Sequence, residues 1–209
     1  MTVEDIVVSR GLTEIVHFTT NLGLIGSLVS WAVKSRALLP RERLLEYVYK
    51  PNAHHRRDPA WTGYVSLSIT RINTHFFDIS STKWHADEDL WWCILAFSSD
   101  ILTHPQVVFA TTNNMYDGVL RERGAVGLEW LFAPKVHLYT DRWVSRSADR
   151  PANRPTCDQA EVLYPKELSM KFIQAVYVVN ELHADIAAAQ CEMFGYQGLK
   201  VIIKPEAFR

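Results

Sequence analysis

The sequence predicts an α+β fold in a single domain spanning 1–209, with packed, antiparallel-rich sheets and helices at their flank. Three observations carry that prediction. Strand-like segments come from both halves of the chain, helical segments cluster early and late, and the C-terminal part reads as one β-α-β unit.

Taken in order, Ile15 to Thr19 reads as a short strand. Asn21 to Lys34 follows as a helix, because Leu22, Ile25, Val29 and Val33 recur at the spacing of one helical face. Pro40-Arg41-Glu42 opens a second helix, since proline is tolerated in a first turn, and Pro51-Asn52 stops it after Tyr49. A polar turn from Asn52 to Gly63 leads into Tyr64 to Ile69, where Val65, Leu67 and Ile69 point one way and Ser66 and Ser68 the other. Trp91 to Phe97 and Val107 to Ala110 are further strands, too short and apolar for surface helices. From Thr140 to Cys157 the periodicity disappears while Arg142, Arg146, Arg150 and Arg154 accumulate. Structureless loops of that length in compact domains are usually functional or disordered. Phe172 to Val179 is then a strand, Glu181 to Phe194 a helix with Leu182, Ile186, Ala189 and Met193 on one face, and Leu199 to Lys204 the closing strand.

Composition excludes several classes. A chain of 209 residues that is 48% hydrophobic and 22% charged is a folded protein with a full core. A net charge of −1 exerts no global pull on nucleic acid, although Lys34, Arg36, Arg41, Arg43, Lys50, Arg56 and Arg57 form a local excess over Glu42 and Glu46 that can track a phosphate backbone or serve as a solvated helix face. Cys93, Cys157 and Cys191 are odd in number and have no ligand spacing, which argues against a disulfide framework or a zinc knuckle. Cys93 and Cys191 read as core thiols. The N-terminus lacks a basic segment followed by an apolar one, and no apolar stretch approaches a membrane span, so a cytoplasmic protein is expected.

The most informative stretch is Cys157 to Tyr164, where the arginine-rich loop runs into an apolar strand and Gln159-Ala160-Glu161 sits at the junction. A second element, His17-Phe18-Thr19 and the run Asn21 to Leu28, lies near the N-terminus. Together with Leu24, Gly26 and Leu28 at fixed offsets, Arg56-Arg57 before Tyr64-Val65, and the closing Lys200 to Pro205, this ordered set resembles the DarT family of DNA ADP-ribosyltransferase toxins. The resemblance runs from Ile15 to the C-terminus. It implies an ADP-ribosyltransferase fold with NAD in a cleft between two sheets, transfer of ADP-ribose to a base of single-stranded DNA, and a cognate antitoxin that reverses the modification.

Carried over position by position, the resemblance makes Glu161 and Arg57 catalytic. It assigns His17, Thr19, Gly26, Arg56 and Ser68 to NAD, Ser68 standing on a strand where familiar members carry a tyrosine. The residue types suit the chemistry. Breaking the bond between ribose and nicotinamide develops oxocarbenium character, which a nearby carboxylate stabilises, and the same carboxylate serves as general base toward the attacking base nitrogen. An arginine offers a planar set of donors to pyrophosphate or to the acceptor base. Arg142, Trp143, Arg146, Arg154 and Gln159 supply charge, a stacking face and polar contacts for a base taken out of its stack.

Plainer readings compete at each position. His17 has the surroundings of a core histidine, and Glu161 those of a solvated carboxylate beside a turn. His85-Ala86-Asp87-Glu88-Asp89 suggests magnesium ligands but suits a solvated face better. Trp91 and Trp92 alternate across a strand, so at least one belongs to the core. Three functional readings remain: a transferase acting on nucleic acid, the same fold acting on protein or a small molecule, and a catalytically silent module that binds DNA or an antitoxin.

Overall fold

The structure, a computed structural model, describes residues 1–39, 61–85 and 90–209. The helix expected over 40–49, the pair Arg56-Arg57 and the acidic run at 86–89 lie outside the described residues. In chain order the elements are α1 (Val3–Arg10), β1 (Glu14–Thr20), α2 (Asn21–Ser30), β2 (Ala32–Lys34), β3 (Tyr64–Ile69), α3 (Thr74–Ile79), β4 (Trp92–Ser98), β5 (Val108–Ala110) and β6 (Arg121–Arg123). They continue with α4 (Gly124–Trp130), β7 (Lys135–Tyr139), β8 (Arg142–Ser145), β9 (Glu161–Pro165), β10 (Glu167–Ser169), β11 (Ile173–Val178), α5 (Glu181–Met193) and β12 (Lys200–Ile203).

The class is α+β, but the expected pair of packed sheets is replaced by one main sheet of eight strands in the order β12-β11-β4-β1-β3-β9-β5-β6. It is mixed: β11 and β12 run parallel, joined through α5 as the expected β-α-β unit, while β11 and β4, β1 and β3, and β5 with both neighbours pair antiparallel. Two further pairs, β2 with β10 and β7 with β8, form small sheets of two strands each. The alternation of β3 and the short apolar run of β4 were readable, whereas β2, β6, β7, β8 and β10, and the choice of partners, depend on residues distant in sequence.

Two compact units make up the chain. One comprises Met1–Val16, Ser66–Asn73 and Ser98–Tyr164. Its core holds Ile6, Ile15, Leu67, Ile69, Ile101, Phe109, Leu128 and Val162. The alternation read at β3 appears in the structure, with Val65, Leu67 and Ile69 buried and Ser66 and Ser68 on the other face, partly exposed. Within this unit Arg10 donates to Glu129 at 2.9 Å and lies over the Phe132 ring, clamping α1 to α4.

The other unit comprises His17–Val65, Thr74–Phe97 and Pro165–Arg209. Its core holds Leu24, Leu28, Ile94, Leu95, Phe97, Val176 and Val178, with Phe18, Phe77 and Trp92 in mutual ring contact. Cys93 and Cys191 are buried free thiols, and burial pushes both thiols well above the ordinary cysteine value, Cys191 to about 11.

Several expectations are corrected. The helix from Asn21 stops at Ser30 rather than Lys34, because Trp31 turns to the left-handed φ of 56° and the next three residues pair with β10 as β2. Apolar spacing cannot tell a last helical turn from a short strand when the deciding partner, Leu168 opposite Val33, is far along the chain. The buried residues of α2 are Gly23, Leu24, Gly26, Ser27 and Leu28, while Leu22 and Val29 are 37% and 46% exposed. In α5 the buried positions are Ala187 and Cys191, and the expected face fails at Leu182 and Met193, both exposed. Small residues mark the contacting stripe there, and a hydrophobicity count overlooks them. The stretch from Thr140 to Cys157 is structureless only in part, since β8 pairs with β7. Helices are not confined to the ends either, α4 lying mid-chain. Among the described residues no helix is long and apolar enough to cross a membrane.

Candidate active site

Glu161 opens β9 and is only 4% exposed. A carboxylate so deeply placed requires fixed partners. Ser66 Oγ donates to its Oε2 at 2.5 Å, and the backbone N–H of Asn114 donates to its Oε1 at 3.1 Å. Each oxygen therefore has its own donor, one from the polar face of β3 and one from the turn after β5.

The sheet explains why a cation joins them. Ala110 of β5 stands level with Glu161 of β9 on one side and with Arg121 of β6 on the other. Three adjacent strands set the outer two residues about 10 Å apart, with only a methyl group between, and residues level with one another on adjacent strands project from the same face. Asn114 spans the gap. Arg121 donates through Nε to Asn114 Oδ1 at 2.5 Å and through Nη2 to the Asn114 carbonyl at 2.6 Å, while the Asn114 N–H holds Glu161. Burial lowers the Arg121 pKa, and the Glu161 charge acts against that shift. Asn114 Nδ2 remains a buried donor without a hydrogen-bond partner among the described residues.

Gln159 lies beside this network. Its Oε1 accepts from Tyr116 Oη at 3.0 Å, and its backbone N–H donates to Cys157 Sγ at 3.4 Å. Cys157 is buried against Thr112 Oγ1, and burial pushes its thiol pKa up, so it reads as structural.

The four arginines of the loop divide by task. Arg146 donates to the carbonyls of Arg154 and Pro151 at 2.8 and 2.7 Å, so its donors brace the loop. Arg150 donates to the Pro155 carbonyl and to Asp158 Oδ1, and Arg154 donates to the same Asp158 oxygen at 2.7 Å. Backbone bonds from Thr156 N to Leu131 O and side-chain bonds from Thr156 to Ala133 O and Thr70 to Asn153 O fix the rest. The stretch is an ordered, cross-braced loop. Arg142 is exposed on β8 and donates to Tyr139 Oη, which raises its pKa. Trp143 is 51% exposed, stacks on His137 with centroids 4.4 Å apart, and carries Lys135 Nζ over its ring. The hairpin β7–β8 seats on the turn that holds Glu161, because Gly118 lets the His137 ring and the Leu138 carbonyl approach where a Cβ would collide.

Among the expected site residues, the structure thus gathers Glu161, Gln159, Arg146, Arg154, Arg142, Trp143 and Ser68 in one unit. Ser68 lines a recess with Ala160, whereas its neighbour on the same strand face, Ser66, makes the bond to Glu161. His17, Thr19 and Gly26 belong to the other unit, His17 and Thr19 half-buried on β1 and Gly26 buried in α2. Arg56 and Arg57 lie outside the described residues. The sequence pointed to the turn that contains Asn114 but gave neither Asn114, Ser66 nor Arg121 a role at Glu161. The available signal for Ser66 was the serine pair on β3; for Asn114 it was the turn Thr111-Thr112-Asn113-Asn114. Among the described residues no group of three or more His, Cys, Asp or Glu is placed to hold a metal ion.

A family model described as "ssDNA thymidine ADP-ribosyltransferase, DarT" matches residues 10–209. The fold is similar to that of Thermus sp. 2.9 DarT in complex with carba-NAD+, at 16% identity and a TM-score of 0.63 over 95% of this chain and 98% of that one. It is similar to the same Thermus protein in complex with ADP-ribosylated ssDNA, at 16% identity and TM-score 0.63, over 95% of this chain and 97% of that one. A third likeness is to Thermosipho africanus DarTG in complex with ADP-ribose, at 13% identity and TM-score 0.58, covering 94% of this chain and 51% of that one. No curated protein matches the chain.

Proposed function

Since the chain belongs to the DarT family of ssDNA thymidine ADP-ribosyltransferases, we propose that it transfers ADP-ribose from NAD to thymidine in single-stranded DNA, with Glu161 as the catalytic carboxylate. The observation that carries the assignment is the burial of Glu161 with both oxygens held by separate donors. A carboxylate placed in advance and shielded from water stabilises positive charge that develops on a ribose far better than a solvated one, because nothing reorganises when the charge appears.

In this reading Glu161 faces the ribose carbon that bears nicotinamide. As that carbon–nitrogen bond breaks, nicotinamide leaves with the bonding pair, and the carboxylate offsets the oxocarbenium character on the ribose. Thymine in DNA has a single ring N–H, its other ring nitrogen being bonded to deoxyribose. That nitrogen forms the new bond to the ribose carbon, and its proton passes to Glu161 and then to solvent. Arg121 keeps a positive charge near Glu161 and anchors Asn114, so it positions the carboxylate through another residue.

His17, Thr19, Gly26 and Ser68 are proposed to hold NAD, and Arg56 and Arg57 to act on its pyrophosphate or on the acceptor base, as the family resemblance implies. Trp143 is half-exposed, with Arg142 and Lys135 offering charge beside it, which suits an unpaired base and its backbone. Gln159 and Arg154 contact the acceptor in this reading, and Arg146 braces the loop that carries Arg154. The protein acts in the cytoplasm, all of 1–209 serving as one transferase domain. The likeness to a chain named DarTG supports a cognate antitoxin that removes the modification.

Labelled NAD incubated with single-stranded oligonucleotides that differ only in having or lacking thymidine tests the proposal. Label on the thymidine-containing strand alone, with release of nicotinamide, is the expected result. Label on both strands, or only on protein, defeats the assignment of acceptor.

A further inference from the structure

Beside Glu161 the same unit carries a recess with its own chemistry. Ser68, Arg71, Arg154, Asp158 and Ala160 are among the residues that line it. Its enclosed space, about 10 Å³, is that of one water-sized group, and it opens onto solvent, so a ligand presents only a single compact polar group at its mouth and a nucleoside does not enter.

Its charge is unbalanced. The two cations that line it, Arg71 and Arg154, outnumber its one carboxylate, Asp158, whose Oδ1 already accepts from Arg154 and from Arg150. Arg71 is half-buried, yet among the described residues no hydrogen bond or ion pair holds its guanidinium, and its Nε is a buried donor without a partner. A partly desolvated cation with unused donors is costly unless something completes it. An anion with several acceptor oxygens does so, and the planar fork of an arginine matches phosphate geometry.

We propose that this recess is a phosphate subsite, in which Arg71, supported by Arg154 and the Ser68 hydroxyl, holds one phosphate of a reacting partner. The phosphate belongs either to the acceptor strand or to the pyrophosphate of NAD. The inference relies on the transferase reading for these two substrates, and it does not depend on the role of Glu161.

Arg71→Gln removes the charge and the guanidinium fork and keeps a polar, unbranched side chain. Binding of a labelled thymidine-containing oligonucleotide is measured by fluorescence anisotropy across a salt series, and the KM for NAD in parallel, for wild type and variant. If the subsite takes a strand phosphate, affinity falls about tenfold and the slope of log K against log salt becomes shallower by about 0.7. If it takes the pyrophosphate, the KM for NAD rises about tenfold with the salt slope unchanged. In either case Arg71→Lys restores part of the effect, and the Tm of Arg71→Gln is not below that of wild type, because no partner is lost. Unchanged slope and KM overturn the proposal, and so does a lowered Tm, which would make Arg71 a structural group. A wild type that neither binds the oligonucleotide nor consumes NAD would instead overturn the transferase reading.

Discussion

The orientation of Glu161 rests on very few atoms. A hydrogen bond to a charged group contributes about 1.5–3 kcal/mol, so Ser66→Ala, which removes the 2.5 Å bond to Oε2, is expected to lower kcat/KM for transfer by about ten- to a hundredfold and, because a buried carboxylate oxygen loses its donor, to lower Tm as well. Steady-state kinetics beside a melting curve checks this; loss of Tm without loss of rate goes against it. Arg121→Lys keeps a charge but not the two-point grip on Asn114, because an ammonium is a point donor and a guanidinium a fork. Its kcat is expected to fall while the KM for NAD holds, and equal changes in both would remove the positioning role. Glu161 itself was legible, since a carboxylate after Gln159-Ala160 and before an apolar run stands out. Ser66 was not separable from Ser68, because a period of two puts both on one face and does not say which meets β9. Asn114 is 47 positions from its partner, a pairing no local pattern encodes.

At the scale of elements, the hairpin β7–β8 and the braced loop depend on different devices. Gly118→Val places side-chain atoms where the His137 ring and, 2.8 Å away, the Leu138 carbonyl already sit, and the flexible tip of a side chain is not available to yield. The hairpin shifts, and the ratio of DNA labelling to nicotinamide release is expected to drop; an unchanged ratio removes the hairpin from acceptor binding. In the loop, burial pushes the Asp158 carboxyl up, and Arg150 and Arg154 more than offset it, so the group titrates below the ordinary aspartate value. A depressed carboxylate stabilises the fold above its unfolded pKa and stops doing so as pH falls through its folded one. Asp158→Asn is therefore expected to lower the Tm at pH 7 and to match wild type at a pH below the aspartate range, as thermal melts across pH would show. The hairpin stayed hidden in the sequence because Arg142 to Ser145 has only the alternation of a polar ribbon, and pairing with Lys135 to Tyr139 rather than apolar burial defines it. The strands with a buried face, β3, β4 and β11, were all readable for the opposite reason.

For the whole molecule, the sequence pattern supplied the class and the closing β-α-β unit, but not the single eight-stranded order, which joins strands from the beginning, middle and end of the chain. The order matters to the proposed function because it sets Glu161, Ala110 and Arg121 side by side on β9, β5 and β6, residues that come from three separate stretches of sequence. A net charge of −1 exerts no global pull on nucleic acid, so the proposed acceptor contact falls to local groups such as Trp143, Lys135 and Arg142. The proposed role of Glu161 as the carboxylate of ADP-ribosyl transfer rests on this arrangement. The most direct test is the rate of label transfer from NAD to a thymidine-containing single strand by wild type and by Glu161→Gln, which preserves the shape of the side chain and removes its charge. A fall of about 10²–10³-fold with binding of the oligonucleotide retained is the predicted result, and transfer at a rate near that of wild type would contradict the account.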